Sequence, residues 1–193
     1  KNKPLPPLPH PLLHDTADPF SIIREKDQML HVPYQSYHAV VNFFEKAARD
    51  PDVTHIKVIQ YRVAKRSKIL EALMEAVREG KQVSAFVEIK ARFDEAANLE
   101  WGERLERAGV RVHYSFPGVK VHSKLALVRR LENGKPRLYA YLATGNFHEE
   151  TAQVYSDFGV FTTDPRLTAE VSNVFSFLEN IKPPRQEFEH LFV

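Results

Sequence analysis

Between Thr54 and Ser115 the chain alternates short apolar runs with segments of helical period, and this alternation limits the fold more than any other feature. THIKVIQYR (54–62) reads as a buried strand. SKILEALMEAVREG (67–80) follows, with Ser67 as N-cap, Leu70, Leu73, Met74 and Val77 on one face, and Gly80 at the left-handed C-terminal position. QVSAFVEI (82–89) is the next strand, a helix carrying Leu99, Trp101 and Leu105 stops at Gly109, and VRVHYS (110–115) closes the series. Strands separated by helices in this way pair in parallel through right-handed crossovers, and ligands collect beyond their carboxyl ends. Arg62 and Arg92 fall at those ends.

Other elements surround this unit. A helix over about Ser36–Arg49 precedes it, with Val40, Phe43, Phe44 and Ala47 on one stripe. After it, the segment around His122 pairs with RLYAYLATG through a turn at Glu132-Asn133-Gly134, a hairpin signal that makes the sheet mixed. DFGVFTT is a last strand, and Asp164 with Pro165 opens a helix that turns Leu167, Val171, Val174, Phe175 and Leu178 inward. The fold expected is α/β, a mixed and largely parallel sheet with helices on both faces.

The ends differ from this body. KNKPLPPLPHPLLH begins a proline-rich arm expected to run to residue 26, because proline suits neither a core helix nor a central strand. Residues 182–193, opening KPPRQ, are expected to be a linker after the domain at 27–181. The whole reads as a piece of a longer protein. Its 27 basic and 25 acidic residues leave a net charge of +2, too balanced for binding that rests on bulk positive charge. Any polyanion site is therefore local, and a nucleic-acid partner is not expected. Cysteine is absent, which removes disulfides and thiolate metal sites and fits a reducing cytosol. No apolar run approaches the roughly 20 residues needed to span a bilayer.

Within KVHSK, strand alternation places Lys120, His122 and Lys124 on one side and Val121, Leu125 and Leu127 toward the core. A solvated surface strand would explain this, and so would an anion site. Two adjacent ammonium groups oppose protonation of the imidazole, and the neutral ring is the form that attacks phosphorus. The same lysines attract phosphate oxygens. Arg62 and Arg92 each offer a planar guanidinium to a phosphate. Asp94 and Glu95 suit a helix N-terminus, and Thr144-Gly145-Asn146 suits either a turn or close approach to a ligand. Asp157 is placed to accept a hydrogen bond from a histidine nitrogen and fix its tautomer. Tyr155 is a stacking or donor candidate. The remaining histidines show no metal-ligand spacing.

YRVAKRS around Arg62, VEIKARFDE around Arg92, KVHSKLALV around His122 and LATGNFHEETAQVYSDFG through Tyr155 together resemble the class-1 bacterial polyphosphate kinases, in order from about Asp27 to Asn180. The resemblance implies the first of two phospholipase D-like domains in the carboxyl half of a larger enzyme, holding half of its site. It implies that His122 carries a phosphohistidine intermediate, that Arg62 and Arg92 bind the magnesium–nucleotide phosphates, and that Tyr155 contacts ATP. A guanidinium cannot ligate a cation, so both arginines are expected on phosphate oxygens, with Mg2+ bridging those oxygens and water. Lys120 and Asn146 are added as phosphate contacts, Lys124 as a charge stabiliser and Asp157 as orienter of the ring. Expected partners are ATP, ADP, inorganic polyphosphate, the remaining domains and further copies in a homo-oligomer. The expected setting is cytoplasmic, with peripheral attachment of the parent at the inner membrane left open. The wider phospholipase D pattern carries an aspartate five residues after the lysine, where this chain has Arg129. That departure disfavours phosphodiester hydrolysis. A hydrolase half-site completed by dimerisation and a noncatalytic polyanion-binding module remain as alternative readings.

Overall fold

The computed structural model describes residues 5–191 other than 17, 62, 63, 65, 89–94, 116–119 and 181–187. In chain order the elements are α1 (Pro19–Glu25), β1 (Gln28–Val32), α2 (His38–Arg49), β2 (Val53–Gln60), α3 (Lys68–Arg78), β3 (Gln82–Val87), α4 (Glu95–Arg107), β4 (Arg111–Tyr114), β5 (Lys124–Glu132), β6 (Lys135–Ala143), a 3-10 turn (Thr151–Gln153), β7 (Asp157–Thr162) and α5 (Pro165–Asn180). The seven strands form one sheet in the order β1-β7-β6-β5-β2-β3-β4.

Local chemistry sets most boundaries. Ser67 caps α3, its hydroxyl accepting the Leu70 N–H at 3.3 Å. Gly80 and Gly109 end α3 and α4 with φ of 80° and 91°, values that suit a residue without a Cβ. Asn133 and Gly134 turn the β5–β6 hairpin with φ of 51° and 76°, as a two-residue primed turn requires. Asp164 opens α5 by accepting the Arg166 N–H at 2.9 Å.

The sheet is mixed, but it is not largely parallel. Parallel pairing is confined to β2–β3 and β3–β4. The β1–β7, β7–β6, β6–β5 and β5–β2 pairs run antiparallel. The reason is the hairpin: once β5 returns along β2, β6 and β7 follow as a meander without crossovers.

Helices cover both faces. Phe20, Phe43, Phe44, Leu70, Leu73, Trp101 and Leu105 pack on one face against Ile56, Val58, Ala126 and Val128. Val171, Val174, Phe175 and Leu178 of α5 cover Ile59, Phe86, Leu125 and Leu127 on the other. Leu99, expected with this core, is 47% exposed.

The amino-terminal segment is more than an arm. Leu13, Phe20 and Ile23 are buried in the first core layer. His10 is buried too: its Nδ1 accepts the Leu12 and Leu13 N–H groups at 3.2 and 3.0 Å. That forces the proton onto Nε2, which donates to the Met29 carbonyl at 3.1 Å. Burial lowers the His10 pKa, against the opposing pull of the Met29 bond. Together with Gln35, whose Oε1 takes the His31 N–H at 2.8 Å, it blocks the open edge of β1. At the other end, Phe188 and Leu191 pack on the α5 layer.

Candidate functional site

Because β2, β3 and β4 are parallel and β5 runs against β2, the carboxyl ends of the first three share a rim with the start of β5. The end of β6 and the start of β7 continue that rim, since Ala143 pairs with both Lys124 and Gly159. His122, Lys124, Asn146 and Asp157 therefore gather at one edge, although they are spread over 36 residues of sequence. Arg62 and Arg92 lie outside the described residues.

His122 is exposed and precedes β5, which begins at Lys124; it is a lead-in residue, not a strand residue. Its imidazole meets the ring of Tyr61 edge-on, with centroids 5.0 Å apart. The Lys120 and Lys124 ammonium groups stand 5.9 and 5.1 Å from the same Tyr61 centroid, within cation–π range. The three groups expected to project together thus converge on one tyrosine. They do not share an environment, however. Lys120 is exposed, whereas Lys124 is only 5% exposed and its ammonium donates to the His122 carbonyl. Simple alternation misplaced Lys124 because β5 is covered on both faces, so neither parity leads to solvent.

Asn146 is half-buried, and its Oδ1 has no partner among the described residues. The adjacent Gly145 is required by space: a Cβ there would stand 2.6 Å from Asp157 Oδ2. Asp157 itself accepts the Thr144 hydroxyl at 2.8 Å. No hydrogen bond joins it to His122 among the described residues. Tyr155 is 60% exposed beside this turn. Arg129 is remote from the rim, paired across to His55 and donating from Nη1 to the Thr54 hydroxyl at 2.9 Å. The Asp94 cap lies outside the described residues.

Sequence reasoning passed over several rim residues. Tyr61 had a signal, as the last apolar position before Arg62. Glu88 had a weaker one, a charge closing an apolar strand; it is fully buried, and its Oε2 accepts the Val121 N–H at 3.0 Å. Glu149 takes the Ser67 hydroxyl and the Ile69 N–H on Oε1 at 3.1 and 3.4 Å, anchoring the Asn146 turn to the start of α3. Nothing local marks that link. Beneath the turn, half-buried Tyr37, whose hydroxyl is covered, and buried Tyr141 are held protonated: burial pushes both pKa values up, and nearby Asp157 adds to it.

The family model described as Polyphosphate kinase C-terminal domain 1 matches residues 18–184. The chain belongs to the polyphosphate kinase family. It is 47% identical over 194 residues to the polyphosphate kinase of Vibrio vulnificus (strain YJ016), covering 100% of this chain and 27% of that protein. The crystal structure of polyphosphate kinase from Porphyromonas gingivalis matches at a TM-score of 0.82 and 43% identity, over 95% of this chain and 30% of that one. The chain thus spans little more than a quarter of the curated relative. The phospholipase D family member Nuc from Salmonella typhimurium aligns with TM-score 0.60 at 16% identity, over 80% of this chain and 94% of its own, which shows the phospholipase D-like fold alone.

Within this polyphosphate kinase domain Lys120, Lys124 and Asn146 carry ammonium and amide N–H groups, which bind anionic oxygens. Among the described residues no group of three or more His, Cys, Asp or Glu side chains is placed to hold a metal ion.

Proposed function

We propose that this domain supplies the phosphoryl-accepting half of a site that moves the terminal phosphoryl group of ATP to inorganic polyphosphate, reversibly, through His122. The observation that carries the reading is the exposed imidazole at the sheet rim with two ammonium groups converging on its tyrosine neighbour. A ring nitrogen lone pair attacks the terminal phosphorus, the bond to the bridging oxygen breaks, and ADP leaves with that electron pair. A terminal oxygen of polyphosphate then attacks the phosphohistidine, and the nitrogen recovers its lone pair. Transfer through nitrogen divides one difficult displacement into two.

Lys120 and Lys124 stabilise charge on the phosphoryl oxygens. Asn146 offers an amide to the same oxygens, Tyr155 contacts the nucleotide and Asp157 sets the ring tautomer once substrate rearranges the rim. Arg62 and Arg92 grip nucleotide phosphates. Magnesium, when bound, would come with the phosphates that Arg62 and Arg92 hold and would neutralise charge on their oxygens. Among the described residues no helix is long and apolar enough to cross a membrane; a cytoplasmic setting supplies the ATP. The remaining domains complete the site, in a homo-oligomer.

The test is to incubate the full-length enzyme with ATP labelled at its terminal phosphate and to map the acid-labile label by mass spectrometry. Label on His122, absent in His122→Ala, is the expected result. Label persisting at an acid-labile site in His122→Ala, or phosphodiester cleavage without ATP, would overturn the reading.

A further inference from the structure

Beyond the ends of β2 and β3 the parallel ladder stops at Gln60 and Val87, so the next carbonyls must find partners elsewhere or pay a desolvation cost. Asn98, fully buried in α4, meets two of them. Its Nδ2 donates to the Tyr61 carbonyl at 2.9 Å and to the Glu88 carbonyl at 2.8 Å. An amide nitrogen carries two hydrogens in a fixed plane, so one side chain sets the distance between the two strand ends.

Both ends touch the segment that presents the imidazole. The Tyr61 ring meets His122 edge-on at 5.0 Å. The Glu88 carboxylate takes the Val121 N–H at 3.0 Å, one residue before His122. The contacts form a closed circuit: Asn98 to Tyr61, Tyr61 to His122, Val121 to Glu88, and Glu88 back to Asn98. A ring held in such a circuit has little freedom to tilt, and a misplacement of about 1 Å at a reacting atom costs on the order of a hundredfold in rate.

We propose that Asn98 is a positioning residue for His122, fixing through Tyr61 and Glu88 where the imidazole stands at the rim. The inference rests on the reading of His122 as phosphoryl acceptor. Asn42 provides a matched control: it is also buried, at 5% exposure, and donates from Nδ2 to a backbone carbonyl, that of Thr16, at 3.2 Å, but it belongs to α2 and has no part in the circuit.

The experiment compares full-length wild-type enzyme with Asn98→Ala and Asn42→Ala, each held below its melting temperature. Two readouts are taken: the rate of label transfer from ATP to His122 with its KM, and the His122 ring resonance in enzyme carrying 13C only in histidine. Asn98→Ala should slow labelling tenfold or more with KM for ATP within about twofold, and should move the His122 resonance as the Tyr61 ring current is lost. Asn42→Ala should change neither. Should Asn98→Ala not fold, Asn98→Ser, which keeps one donor, should give an intermediate loss in both. Labelling at the wild-type rate with an unmoved resonance, or losses no greater than those of Asn42→Ala, would overturn the proposal. If wild-type enzyme carries no label on His122, the acceptor reading fails by itself, and the resonance alone decides whether Asn98 positions the ring.

Discussion

At the hairpin end of the sheet Arg130 is bonded to three acids, Asp50 at 2.8 Å and Glu132 and Asp52 at 3.3 Å each, and Glu132 in turn takes Arg137 at 2.7 Å and the Tyr139 hydroxyl. At the opposite rim the described residues include buried polar atoms with no such partner. Six of the eight buried side-chain polar atoms without a hydrogen-bond partner among the described residues lie there: the Tyr37 hydroxyl, both amide atoms of Gln60, and one oxygen each of Asn98, Asn146 and Glu149. Stability favours saturation of buried polar groups, and the proposed site lies at the end where most of the unpartnered atoms among the described residues are found. The contrast separates charge that holds the fold from the rim groups that the proposed function assigns to phosphate.

The largest expected effect tests the open rim. Lys124→Met in the full-length enzyme should lower kcat by about a hundredfold or more, since it removes an ammonium that the proposed function assigns to charge on the phosphoryl oxygens. The melting temperature should fall only slightly, because relief of the ammonium's desolvation offsets much of the lost bond to the His122 carbonyl. Parallel loss of stability and activity would break the comparison, placing Lys124 with the structural charges.

Glu132→Gln makes the converse test. The carboxylate is only 10% exposed and faces Arg24, Arg130 and Arg137. Burial works to raise its pKa, but the bonds from Tyr139, Arg137 and Arg130 outweigh that and hold it below the usual carboxylate range. The substitution should cost about 2 kcal/mol in denaturant unfolding, with kcat per folded molecule unchanged. A fall in kcat would show that the hairpin end reaches the site.

How far each end was legible follows from the range of its interactions. Ser67, Gly80, Gly109 and the Asn133-Gly134 turn were readable because caps and turns are settled within a few residues. Lys120, His122 and Lys124 were readable as a group from spacing alone, but the burial of Lys124 was not, because two-sided cover of β5 depends on α5 some 40 residues later. The proline-rich start concealed His10, Leu13 and α1, whose burial is decided by β1 and α2 rather than by local propensity. Asn98 and Glu149 left no trace in the sequence. A side chain that serves a distant backbone group has no periodicity to reveal it.

The smallest expected effect applies the saturation rule to a third place. Glu170 of α5 accepts the N–H groups of Glu189 at 2.8 Å, His190 at 3.0 Å and Leu191 at 2.7 Å, together with His190 Nδ1 at 3.0 Å. Burial alone would raise its pKa, yet these bonds prevail and hold it at about 2. A carboxylate whose folded pKa lies below its unfolded value of 4.5 adds stability above that pH and loses it as pH falls toward about 2. Glu170→Gln at pH 7 should speed hydrogen exchange at Glu189, His190 and Leu191, and acidification of the wild type through this window should lower their protection factors, the exchange rates being referred to the intrinsic rate at each pH. The global melting temperature should move by no more than about 2 °C, because the tail docks on a finished core. Exchange unaltered in Glu170→Gln would mean that Phe188 and Leu191 alone hold the segment, and that saturation of a carboxylate at the surface of α5 does not carry the weight it has at the hairpin end.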